Sequence, residues 1–80
     1  MSLRIIVKTD QIRNWIETRG GTPARRRETD NDLTVLFDGE KSAYESLSVD
    51  ELIEAMKANR LVMLVDQEAG KTFHKFVRHS

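Results

Sequence analysis

A chain of 80 residues makes one domain, 1–80, with a single small core, because a chain this short buries only about 60–70% of the surface its unfolded form exposes. The absence of cysteine removes disulfides, thiolate nucleophiles and cysteine metal sites from consideration. The 13 basic and 13 acidic residues cancel, which argues against a protein that coats nucleic acid through net charge.

The charges are nonetheless polarised along the chain. Residues 1–29 hold seven Lys/Arg against three Asp/Glu, residues 30–60 three against eight, and residues 61–80 three against two. The apolar stretch at 3–7 is interrupted by Arg4 and is too short for a signal segment or a membrane span, so the expectation is a soluble cytoplasmic protein.

In chain order, Leu3, Ile5 and Val7 alternate with Arg4, Ile6 and Lys8, a period of two that fits a short additional N-terminal strand. Thr9 reads as the N-cap of a first helix with Asp10 in its first turn. Ile12, Trp15, Ile16 and Arg19 fall at helical spacing on one stripe. Gly20 supplies a left-handed end and Thr22-Pro23 launches an extended segment.

Residues 24–29 alternate without giving either face apolar character: Ala24, Arg26 and Glu28 share one, Pro23, Arg25 and Arg27 the other. Proline and three consecutive arginines are what sheet edges use against unwanted pairing, so the sequence places this strand at an edge. Asp30-Asn31-Asp32 is a turn signal, after which Leu33, Val35 and Phe37 point to the core, Thr34 and Asp38 outward, and Leu36 to the second face. Residues 39–46 read as a loop with Tyr44 packed at an edge.

The second helix is announced by Leu47, Ser48, Glu51 and Leu52, which put a capping box and a hydrophobic staple in one register. Val49, Leu52, Ile53 and Met56 form its apolar stripe and Asn59 its C-cap. The uninterrupted apolar run 61–65 follows as a central strand needing cover on both faces. A turn around Gly70 leads to a last strand at 72–78, in which Phe73 and Val77 share one parity and Phe76 has the other. Either both faces of this strand are partly covered or a bulge re-aims one phenylalanine. The fold class is α+β: helix, hairpin, helix, hairpin, with a mainly antiparallel, four-stranded sheet and two helices on one face. Leu36, Phe76 and the second parity of 61–65 would then form an open face suited to self-association.

Chemistry is sparse. No phosphate-loop pattern occurs, and His74 and His79, five positions apart on a strand, diverge too far to chelate a metal. Asp50, Glu51 and Glu54 sit at a helix start, where capping and solvation account for them without catalysis. No catalytic, cofactor or metal residues are therefore assigned, and an enzyme is the weakest class. Arg25, Arg26 and Arg27 are the one candidate binding surface, since guanidinium forks suit phosphate. No aromatic residue lies within that strand to stack bases, so nucleic acid is a partner not favoured over edge protection.

Ile12-Arg13-x-Trp15-x-Glu17-x-Arg19-Gly20-Gly21-x-Pro23-Ala24, followed by Thr29, Leu33 to Phe37, Glu51, Asn59-x-Leu61 and Phe73-x-Lys75-Phe76-Val77, resembles a family of small bacterial proteins of unassigned function. The resemblance spans nearly the whole chain and is most specific in the helix-to-strand block. It implies the same compact α+β domain and carries no catalytic residues or cofactor with it. The function expected is a small protein-interaction or self-associating module, its partner another protein or a second copy.

Overall fold

A computed structural model of the chain describes residues 2–29, 32–37 and 42–79. The order is β1 (Leu3–Ile6), α1 (Thr9–Thr18), β2 (Thr22–Arg26), β3 (Leu33–Leu36), β4 (Tyr44–Ser46), α2 (Val49–Ala58), β5 (Leu61–Asp66) and β6 (His74–Arg78). The α+β class is as the sequence indicates, and the N-terminal strand is present. The strands, however, form two antiparallel three-stranded sheets, β1-β5-β6 and β3-β2-β4, in place of one four-stranded sheet. Asp30, Asn31, Asp38 and residues 39–41, expected in turns or facing outward, lie outside the described residues.

The apolar run 61–65 is the centre of the first sheet, flanked by β1 and β6 as its composition requires. Its register with β6 runs unbroken from Leu61↔Arg78 to Val65↔His74, which rules out the bulge and leaves Phe76 inward and Val77 outward. The inner faces of both sheets share one core with the helical stripes: Ile12, Trp15 and Ile16 from α1, Leu52, Ile53 and Met56 from α2, and Ile6, Leu33, Val35, Met63 and Val65 from the strands. Side-chain hydrogen bonds from His74 join the sheets at β3 and β6. Its Nε2 accepts from the Val35 amide at 3.1 Å and lies 3.3 Å from the Thr34 hydroxyl, while Nδ1 sits 3.0 Å from the Thr72 carbonyl. That pattern fits the tautomer with the proton on Nδ1.

Both helices end as their sequences direct. The N-cap of α1 is Lys8, without a side-chain cap bond, so Thr9 is the first helical residue and not the cap. At the other end Gly20 has φ +67 and donates to the Glu17 carbonyl at 3.2 Å, while Gly21 donates to Ile16 at 3.0 Å, the paired bonds of a Schellman motif. Gly21 has a second reason to lack a side chain, because a Cβ there would meet Val35 Cγ1 at 2.6 Å and Phe37 Cε1 at 2.8 Å. In α2 the capping box is complete: the Glu51 amide donates to Ser48 Oγ at 3.0 Å and the Ser48 amide to Glu51 Oε1 at 2.8 Å. Asn59 is the C-cap, its amide nitrogen donating to the Ala55 carbonyl at 2.9 Å. Ser48→Ala should cost about 1 kcal/mol in denaturant melts; coincident curves for variant and parent would contradict the cap.

The strand expected at an edge is central. β2 pairs with β3 on one side and with β4, read from the sequence as loop, on the other. Pro23 is tolerated because it stands at the strand's start, where its carbonyl accepts from the Leu47 amide at 2.9 Å. Arginines are tolerated because each finds a partner within the domain.

Candidate functional site

The three arginines of the candidate surface point to three different places. Arg25 lies opposite Glu45 in the β2–β4 register, and its Nε and Nη2 donate to Glu45 Oε1 at 2.8 and 2.5 Å. Arg26 lies opposite Tyr44, with its guanidinium 5.8 Å from the ring centroid and its Nε 3.2 Å from Asp32 Oδ2. Arg27 has left the strand, and its Nε donates to the Ser42 carbonyl at 2.8 Å. Cross-strand pairing of this kind is worth a few tenths of a kcal/mol to about 1 kcal/mol each, enough to recruit a three-residue strand such as β4. The chemistry visible here is structural: the arginines hold β4 on β2, and no twin of guanidiniums faces outward from one side.

The acids at the start of α2 are likewise occupied. Asp50 accepts from Arg13 of α1 at 3.1 Å across the helix pair, an exposed contact of little energetic weight. Glu51 is held below the usual carboxylate range by the Ser48 amide and then by the Ser48 hydroxyl. His74 is spent on the junction between sheets, and its ring stands edge-on to Trp15 and Phe76 at 6.0 Å.

The exposed apolar surface is not where the sequence puts it. Phe76 packs against the core and Leu36 is buried in the second sheet, so neither belongs to an open face. The open face is the outer side of β1-β5-β6. In β1 the more apolar parity is turned to solvent and Ile6 inward: Leu3 is 46% exposed and Ile5 56%, and Val7, just past the strand, is 56% exposed. Ile5 pairs with Leu64, Leu64 with Lys75, and Val62 with Val77, so these half-buried aliphatics continue the patch across three strands. Phe73, 48% exposed, closes one end beside Asp66, whose amide donates to its carbonyl. All four large apolar side chains that are exposed among the described residues therefore lie in or directly beside the strands of one sheet.

At that end Asp66 is buried yet charged. The Glu68 amide at 3.0 Å, and then the Ser2 amide at 3.3 Å, hold it below the usual carboxylate range against the opposing effect of burial. A carboxylate whose folded value is depressed stabilises the fold fully above the ordinary carboxylate range and loses that contribution as pH falls through the depressed value. Glu51 acts in the same sense. Thermal melts should therefore fall as pH drops below the carboxylate range, and Asp66→Asn should flatten the decline; a parallel decline in the variant would contradict the role of Asp66.

No family model, curated protein or solved structure matches the chain. Among the described residues no helix is long and apolar enough to cross a membrane.

Proposed function

We propose that the protein is a small, non-catalytic, self-associating module of the cytoplasm and that a second copy docks on the outer face of β1-β5-β6. The observation that carries this is the orientation of β1: it exposes Leu3 and Ile5 and turns only Ile6 to the core, with Val7 exposed just beyond it. A free strand gains nothing from that choice, whereas two such faces stacked about 10 Å apart would bury both. A second copy fits better than a charged partner because the chain has zero formal net charge and, of the two charges with outward parity within the strands, Asp66 is buried and held by backbone amides, leaving Lys75 exposed. Three strands spaced about 4.8 Å and three rows spaced about 6.8 Å cover only roughly 300 Å² in plan. That is well under the ~800 Å² per partner of a standard interface, so the dimer should be weak, with a dissociation constant on the order of 10–100 µM.

Sedimentation equilibrium over a hundredfold range of concentration tests the proposal with Ile5→Lys as the comparison. The parent should pass from monomer to dimer and Ile5→Lys should stay monomeric, with an unchanged melting temperature measured in dilute solution. A monomer throughout, or a dimer that the lysine does not disturb, would remove the support for it. Polyanion binding through Arg25, Arg26 and Arg27 is the second proposal, disfavoured by the intramolecular partner each arginine has.

A further inference from the structure

A different surface has the features of a ligand site. Between the free edge of β1 and the flank of α1 lies a half-enclosed cavity of about 260 Å³, bordered by Arg4, Gln11, Asn14, Trp15, Arg19 and Gln67 over Ile6 and Val65. Two guanidiniums and three primary amides converge there, and no carboxylate lines it. Arg4 shares the inward parity of Ile6 at the sheet edge, where it is exposed and makes no ion pair among the described residues. Arg19 spends its hydrogen bonds on neutral oxygens: the carbonyls of Trp15, Asp66, Glu68 and Lys71 and the hydroxyl of Thr18. Its charge is therefore held in place beside the cavity with no carboxylate bonded to it. The Asp66 side chain has the opposite parity to Val65 and is engaged by the Ser2 and Glu68 amides, away from the cavity.

We propose that this cavity binds a phosphate group, free or at the end of a small phosphomonoester. Arg4 supplies a bidentate fork and the major charge contact, Gln11 and Asn14 supply amide donors to the remaining oxygens, and Arg19 supplies a fixed positive field, while Gln67, whose Nε2 donates to the Ser2 hydroxyl at 2.8 Å, borders the site. Phosphate suits the site better than carboxylate because its three or four acceptor oxygens match the number of converging donors. The volume is below the ~300–1,000 Å³ of drug-sized pockets, which limits the ligand to a small anion.

Trp15 is the only tryptophan and borders the cavity, so its fluorescence reports occupancy directly. Inorganic phosphate and glycerol phosphate are titrated at constant ionic strength, with chloride as the blank, against the parent, Arg4→Gln and Gln11→Ala. A saturable change with either phosphate, absent with chloride and weakened at least tenfold by Arg4→Gln, is the expected result. A response to both ligands assigns a monoester site, and a response to inorganic phosphate alone a free-phosphate site. Gln11→Ala, on an outer helix position, should weaken the response severalfold and serves if Arg4→Gln does not fold. No saturable change, a change equal to that with chloride, or full affinity in both folded variants would overturn the proposal.

Discussion

Trp15→Ala should destabilise the domain by about 3–5 kcal/mol, the cost of truncating a buried aromatic residue. A domain of this size has about 4–12 kcal/mol in total, so the variant should lose a large fraction of its stability. Trp15 is 5% exposed and stands where α1 meets both sheets, edge-on to Phe37 of the second and to His74 of the first, each at 6.0 Å. Its Nε1 donates to the Asp66 carbonyl at 2.8 Å, so alanine would also remove a buried hydrogen bond and leave that acceptor only the longer contact from Arg19 Nη2 at 3.3 Å. Trp15→Phe separates the two contributions by keeping a ring and losing the donor, and about 1–2 kcal/mol is expected. Urea melts check both. A loss under about 1 kcal/mol for alanine would show that the sheets hold together without this side chain.

The second large effect should come from Arg19→Ala, at about 2–3 kcal/mol. Arg19 is the C-cap of α1, stacked 4.5 Å from the Trp15 ring, and it reaches the end of β5 and the chain leading to β6 at three carbonyls: Asp66 at 3.3 Å, Glu68 at 2.8 Å and Lys71 at 2.5 Å. Each charge-assisted bond would be worth more if buried, but water replaces the exposed ones on truncation, so the sum is a fraction of the nominal total. The cation–π contact adds about 0.5–1 kcal/mol. Arg19→Lys keeps the charge but not the planar fork and should recover less than half. Amide exchange between residues 66 and 73 should accelerate in both variants. A lysine variant as stable as the parent, with unchanged exchange there, would reduce Arg19 to a surface charge.

How much of this was legible depends on how far apart the interacting groups are in sequence. The start of α2 could be read in full because Ser48 and Glu51 are one helical turn apart and satisfy each other. The end of α1 could be read because Gly20 is needed locally for its positive φ. β4 could not be read: Tyr44, Glu45 and Ser46 have no apolar period, and what makes them a strand is Arg25 and Arg26 about twenty residues earlier. The same pairing hid the centrality of β2, since arginines that look like edge protection are cross-strand partners. Helical spacing puts Arg19 on the stripe of Ile12, Trp15 and Ile16 and it stands as the C-cap of α1, but its ties are to backbone carbonyls about fifty residues away, which no side-chain pattern advertises. Where the two sheets meet, the Val35 amide of β3 donates to the His74 side chain of β6, a tie between residues about forty apart that no local pattern advertises. The cavity beside Arg4 was invisible for a related reason, being assembled from β1, α1 and the end of β5.

The most direct test of the proposed self-association is a dilution series of amide spectra on the parent protein, from millimolar to low micromolar concentration. It reports whether copies meet and where. The prediction is that concentration-dependent shifts are confined to residues 3–7, 62–64 and 73–77, following one two-state curve. Shifts clustered instead on Arg25, Arg26 and Arg27 or along α2, or spectra that do not change with concentration, would contradict docking through the outer face of β1-β5-β6.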